Sequence, residues 1–216
     1  MKMKPILFST KMVQAILEGR KSMTRRVAKK IPQGTHRIEN NGDGAFEVFW
    51  GGTNLGTFFD GSTKIKCPYG KPGDILWVRE TWREQPVGED DHIEIQYRAD
   101  FTEEELGCYG RRGGHAPRKW KSSRFMPRSA ARIFLRVKDV RVERIQDITA
   151  EDAKAEGLLP HGCQKDITGI CPTGCTCFSP RERFAGLWDD LNAKRGYGWD
   201  TNCWVFVIEF ERCSPV

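Results

Sequence analysis

The sequence predicts an α+β fold, a small and partly open β-barrel with peripheral helices. Two observations point there: many short alternating strands separated by turns, and three helical segments that follow no regular βαβ rhythm. No Gly-rich phosphate fingerprint follows a strand, so a doubly wound dinucleotide fold is not expected. With 216 residues, of which 38% are hydrophobic and 11% aromatic, the chain can bury a substantial core. It reads as one domain over 1–216, with insertions at about 30–66 and 85–123 and a Cys-rich loop at 161–178.

Taken in order, Pro5 to Phe8 reads as a first strand. Ser9 or Thr10 can cap the helix that follows, because a hydroxyl oxygen accepts one of the orphan N–H groups of the first turn. Met12, Val13, Ile16 and Leu17 form one apolar stripe, and Gly19 stops the helix. A second strand is expected over 24–28. Asn40-Asn41-Gly42-Asp43-Gly44 and Gly51-Gly52 mark turns, with short hairpin strands at Ala45–Trp50 and Thr57–Phe59.

Pro72-Gly73-Asp74 turns the chain into a strong strand over Ile75–Trp82. Leu76, Val78, Glu80 and Trp82 share one face of it. On an apolar face, Glu80 is either paired with a cation or has its pKa raised by desolvation. A weak strand follows near Ile93–Tyr97, then an acidic helical turn at 102–106. Ile133, Leu135 and Val137 alternate with charged residues, and after a bulge near Asp139 the pattern resumes at Val140 and Val142. Thr149 to Gly157 is a short helix with an acidic first turn. Ser179-Pro180-Arg181-Glu182 starts another, with cap, Pro at the first helical position and Glu three after the cap. Its stripe of Phe184, Leu187, Trp188 and Leu191 reads as core. Cys203–Glu211 is the final strand.

Thirty-five basic against 29 acidic side chains give a net charge of +6, too moderate to demand nucleic acid. The excess is local, however. Between 111 and 132 lie eight Arg and Lys, among them Arg118, Lys119, Lys121 and Arg128, with no acid. Trp120 and Phe125 sit inside this stripe, as in a loop that tracks phosphates and stacks bases; a solvated loop is the alternative. No segment approaches the roughly 20 apolar residues of a membrane span, and a cytoplasmic protein with no membrane partner is expected.

Eight cysteines in such a compartment read as thiols or metal ligands rather than disulfides. Cys163, Cys171, Cys175 and Cys177 offer four thiolates on a Gly- and Pro-containing loop, a set suited to tetrahedral structural zinc, with His161 as a substitute ligand. A closed thiolate set leaves no open position, so this zinc would staple the loop. No organic cofactor is indicated.

Gly19-Arg20-Lys21-Ser22-Met23-Thr24-Arg25-Arg26 concentrates an ammonium, a hydroxyl and guanidinium groups just past the first helix. Such a cluster suits an anionic, hydrogen-bonding planar ligand, although a solvated basic turn has the same composition. Strand, capped helix and Gly19-x-Lys21-x-x-Thr24-x-Arg26 together resemble the ASCH domain of the PUA-like superfamily. That family's signature is G-x-K-x-x-E-x-R, and its acidic position is Thr24 here, as in the small N4-acetylcytidine amidohydrolases of the family. Cys67-Pro-Tyr-Gly-Lys-Pro-Gly-Asp, Trp77-Val-Arg-Glu-Thr-Trp82, Met126-Pro-Arg128 and Trp199-Asp200 are similar to a longer ASCH form carried by phages and prophages. The likeness covers most of 4–29, 67–84 and 124–212.

The resemblance implies a PUA-like barrel that binds RNA, a nucleotide or a modified nucleoside. Its alternatives are an amidohydrolase that removes an acyl group from N4-acetylcytidine-type nucleosides, or a ribonuclease. By resemblance, Lys21, Thr24 and Glu80 match the amidohydrolases' catalytic positions. Chemically, Thr24 would be the nucleophile, Lys21 its base and Glu80 the acid at the leaving amine. As a binder, the same cleft would use Lys21 and Arg26 on phosphate, Glu80 on a base edge and Trp82 for stacking, with Arg25, Arg79, Arg118, Lys119, Trp120, Lys121 and Arg128 in support. Both readings require Lys21, Thr24 and Glu80 to meet in one pocket.

Overall fold

A computed structural model describes residues 1–32, 34–42, 44–54, 57–87, 92–108, 118–158 and 179–214. The expected zinc ligands Cys163, Cys171, Cys175 and Cys177, with His161, lie outside these residues.

The fold is α+β, mostly strands in several sheets with few helices. The main sheet has five strands: β1 (Met3–Leu7), β2 (Met23–Val27), β6 (Ile75–Arg79), β9 (Phe134–Arg144) and β10 (Trp204–Cys213), in the order β1-β6-β9-β10-β2. β1 and β6 run parallel, and the other neighbours are antiparallel. A three-stranded antiparallel sheet comprises β3 (Thr35–Asn40), β4 (Ala45–Asn54) and β5 (Thr57–Lys66); β7 (Trp82–Val87) and β8 (His92–Tyr97) form a hairpin.

Consecutive strands β1 and β2 therefore occupy opposite edges of the main sheet, bridged by helix α1 (Thr10–Leu17). Ser9 caps α1 by accepting from the Met12 amide, and Val13 and Ile16 face the core. The two edges make no backbone ladder with each other among the described residues. Instead the Arg26 guanidinium on β2 donates to the Leu7 carbonyl of β1 at 2.7 Å. A closed barrel is absent among the described residues, and this side chain spans the seam.

One apolar cluster joins the main sheet to the 35–66 insertion. Phe46, Val48 and Ile65 pack with Ile6, Leu135 and Ile208, and the Phe46 and Phe206 rings lie 5.9 Å apart. A second cluster lies between β2, β10 and the helices α3 (Ala150–Ala155) and α4 (Pro180–Asn192), around Met23, Ile145, Phe184 and Trp188. α4 opens with the expected capping box, since Ser179 and Glu182 each hold the other's backbone N–H. The remaining helix, α2 (Glu103–Cys108), follows β8.

The strands follow the sequence reading at one place and depart from it at others. The bulge in β9 falls where expected: the register against β10 slips between Glu209 and Phe210, which face Asp139 and Val137. The expected strand Ile75–Trp82, however, is broken. Its alternation holds, with Leu76, Val78, Glu80 and Trp82 all buried, but the Glu80 amide donates to the Met126 sulfur at 3.2 Å rather than to a ladder. The chain then leaves the main sheet, and Trp82 exchanges backbone hydrogen bonds with Lys121. The hairpin strands of the 35–66 insertion are also longer than expected.

Candidate functional site

A cavity of about 450 Å³ opens at the seam between the two edge strands. This lies within the range of small-molecule sites, roughly 300–1,000 Å³. Its walls come from the β1–α1 turn, from Thr24–Val27 of β2, from Tyr69, from Glu156 and from one side of α4. Phe184, Leu187, Trp188 and Leu191, read as core from their spacing, all face it. Phe184 and Trp188 also anchor the second cluster, whereas Leu191 is exposed. One helical stripe serves both core and wall.

Lys21 sits behind this wall with its side chain fully buried. Its ammonium donates to the Glu156 carboxylate at 2.6 Å and to the Glu156 carbonyl at 2.8 Å. Burial lowers the Lys21 pKa, against the raising effect of Glu156; Arg26 and Arg25 lower it further. Local backbone makes this contact possible. Lys21 forms an isolated bridge with Glu156, and the Ser22 amide donates to the Ala155 carbonyl. Gly157 ends α3 at φ +88°, and a Cβ there would stand 2.8 Å from the Ala15 Cβ and 2.9 Å from the Lys21 Cβ. Only glycine lets this helix end rest against Lys21.

Thr24 follows on β2, paired with Ile208 of β10, and its side chain lines the cavity. Among the described residues its hydroxyl has no hydrogen-bond partner. Alternation sends Thr24 and Arg26 toward one side, Met23 and Arg25 toward the other. Arg25 is enclosed by carboxylates: Glu143 at 2.7 Å, Asp152 at 2.6 Å and Glu156 at 3.4 Å. Arg141 extends this network to Glu143, Asp152 and Glu209. The Arg25 charge is thus neutralised internally, and its role is to fix Glu156.

Glu80 belongs to a different cluster. It is 1% exposed, yet its carboxylate receives two hydrogen bonds from Arg132, at 3.0 and 3.1 Å. Arg132 also holds Asp100 at 2.7 Å and lies 3.9 Å from the Tyr97 ring centre. Burial raises the Glu80 pKa, and Arg132 opposes the shift. The sequence correctly placed an acid on the apolar face, with both a cation partner and a raised pKa. The expected meeting with Lys21 does not occur: Lys21 pairs with Glu156, and the cavity is lined by Thr81 rather than by Glu80. The break after β6 redirects Glu80 toward Arg132.

The other expected binding residues are dispersed. Trp82 is buried with Met126 and Ala130, and the Lys121 ammonium lies 4.6 Å from its ring centre, so it offers no open face to a base. Lys121 pairs with Glu84 at 2.7 Å. Arg79 donates to the Arg124 carbonyl and stacks on Trp77. Trp120 is half-buried, with the Arg83 guanidinium 4.2 Å from its ring centre. Arg118, Lys119 and Arg128 are exposed. Of this group only Arg25 and Arg26 line the cavity.

Sequence reasoning missed Glu156, Tyr69, Asn192 and Arg195. Glu156 carried a readable signal, because an acid in the last turn of a helix opposes the helix dipole. Such a local conflict marks a residue held for another purpose. No group of three or more His, Cys, Asp or Glu suited to a metal occurs among the described residues. No helix of the described chain is long and apolar enough to cross a membrane.

Comparison with known protein families, with curated proteins and with solved structures found no match for this chain.

Proposed function

We propose that the seam cavity binds one nucleoside-type ligand, a modified cytidine or a single unstacked RNA base, within an ASCH-type, PUA-like fold. The observation that carries this reading is the pairing of an unengaged Thr24 hydroxyl with the Glu156 carboxylate on the wall of one aromatic-lined cavity. A planar base has an apolar face and a polar edge. Tyr69 and Trp188 supply apolar surface, while Glu156 accepts from an exocyclic N–H and Thr24 donates or accepts. The cavity's size favours one base over a length of backbone. Quenching of tryptophan fluorescence by N4-acetylcytidine and cytidine tests this, with Thr24→Ala as the variant. Saturable quenching by either nucleoside, weakened in the variant, is expected; no binding of either sinks the reading.

Amide hydrolysis is the second reading, favoured by the buried Lys21–Glu156 contact beside Thr24. Glu156 here takes the part first given to Glu80. With the pair in its neutral form, Lys21 accepts the Thr24 proton as Oγ1 attacks the acyl carbon. The carbon–nitrogen bond then breaks, and the Glu156 carboxyl protonates the departing amine. Water next attacks the acyl-threonine ester, giving a proton to Glu156, while Lys21 returns one to Thr24. The sum is amide plus water to amine plus carboxylic acid, and every group ends as it began. Conversion of N4-acetylcytidine to cytidine by wild type, abolished in Thr24→Ala, is the expected chromatographic result. Equal conversion by the variant would rule out the nucleophile.

A further inference from the structure

We propose that Arg26, Lys29 and Arg195 form a phosphate subsite at the rim of the seam cavity, so that the ligand is a nucleotide carrying a phosphate ester. This rests on the reading of the cavity as a base site and adds the part of the ligand that the base site leaves undefined. All three cations line the same cavity. Among the described residues, none of them has a carboxylate within ion-pair distance.

Arg26 is the unusual member. Its Nη2 reaches the Leu7 carbonyl, and its guanidinium lies 5.2 Å from the Phe8 ring centre and 5.8 Å from that of Tyr69. Its Nε is buried and has no hydrogen-bond partner. A buried donor on a cation is costly when unpaired. Burial lowers the Arg26 pKa, Tyr69 and Glu156 oppose the lowering, and Arg195 adds to it, which places the two guanidinium groups within electrostatic reach of each other. Glu156, the lining carboxylate, is already held by Lys21 and Arg25. The rim therefore carries more positive charge than its one lining carboxylate, already shared by Lys21 and Arg25, can balance.

An anion relieves this arrangement. A carboxylate offers one charge, whereas a phosphate monoester offers up to two charges and three acceptor oxygens. Guanidinium groups match that geometry through paired N–H donors. With the base edge at Thr24 and Glu156 and the phosphate at Arg26, the ligand would run along the seam toward Arg195.

The test measures affinity of the whole protein for N4-acetylcytidine, for its 5′-monophosphate, and for a short single-stranded RNA containing one such residue. Each is measured at low and at high salt. The monophosphate is expected to bind about tenfold or more tightly than the nucleoside, with the gap narrowing as salt rises. Arg195→Gln and Lys29→Gln, both at exposed positions, should each weaken the monophosphate several-fold and leave the nucleoside unchanged. They keep the test decisive if Arg26→Gln fails to fold. RNA tighter than the monophosphate assigns a phosphodiester, and the reverse order assigns a terminal phosphate. Equal affinity for nucleoside and monophosphate overturns the subsite while leaving the base site intact. Failure of all three ligands to bind overturns both.

Discussion

The Lys21 ammonium and the Glu156 carboxylate meet at 2.6 Å, each almost wholly buried, across 135 residues of sequence. This contact ties the turn after α1 to the end of α3 and places an acid on the cavity wall. A buried ion pair is weak evidence for stability in itself, because desolvation offsets much of the attraction. Breaking it on one side is another matter. Lys21→Met leaves Glu156 with Arg25 alone and should destabilise the protein by about 3–5 kcal/mol. Adding Glu156→Gln should recover part of that loss, with a coupling of roughly 0.5–3 kcal/mol in a double-mutant cycle. Urea denaturation of the four proteins checks it; additive losses would show that the two side chains act independently.

How much of this was legible beforehand differs by element. Caps, stripes and alternation are local, so α1, α4, the β9 bulge and the buried face carrying Glu80 could be read directly. The Gly19–Arg26 motif was also visible, and Thr24 and Arg26 do line the cavity. What escaped were partners chosen by topology. Glu80 was the nearest acid on an apolar face, but the strand breaks there, and Arg132 rather than Lys21 receives it. Glu156 caps the end of a six-residue helix with no distinctive spacing, and the Gly157 turn is what brings it to Lys21. Arg25 and Arg26 look alike in sequence. Strand parity sends one into carboxylates and the other to the seam.

Gly157 makes a second prediction. Its φ of +88° and the 2.8 and 2.9 Å approaches of the Ala15 and Lys21 side chains combine two penalties for any added Cβ. Gly196, at φ +80°, has open space around it and carries only the first. Gly196→Ala should cost about 1–2 kcal/mol from the left-handed backbone alone. Gly157→Ala should cost clearly more, and it should also perturb ligand binding by shifting Glu156. Thermal or urea unfolding of both variants decides the order; equal losses would show that the helix end yields without disturbing Lys21.

Glu80 predicts a pH dependence of stability. Burial raises its pKa in the folded protein, so the folded state holds a proton that the unfolded chain has released. Between the unfolded value, about 4.3, and the higher folded value, stability must therefore fall as pH rises. Below that window the proton is bound in both states and the contribution is fully present. Glu80→Gln keeps the side-chain shape and one acceptor for Arg132 while removing the titration. The difference in unfolding free energy between wild type and variant should drift against wild type as pH increases through the window. A constant difference would mean that Arg132 fully cancels the desolvation.

Lys21 separates chemistry from simple binding in the cavity. Burial lowers its pKa, so neutral amine becomes available below the ordinary lysine value of about 10.4. The neutral Lys21–Glu156 pair of the hydrolytic route holds the same single proton as the ion pair, so the hydrolysis rate should stay level with pH and then fall once that proton is lost above the folded Lys21 pKa. Folding stability should rise over the span from the folded pKa up to about 10.4, because there the folded state binds fewer protons than the unfolded chain. Glu156 raises the Lys21 pKa, so Glu156→Gln, which also removes the acid at the amine, should slow the reaction and leave a rate that rises with pH and levels off once Lys21 is deprotonated. Lys21→Arg keeps a positive charge but cannot give up its proton in the accessible range. It should abolish turnover, yet retain nucleoside binding in the fluorescence titration. Turnover that survives Lys21→Arg would reduce Lys21 to an electrostatic anchor for Glu156, and the cavity would then be a site of recognition without hydrolysis.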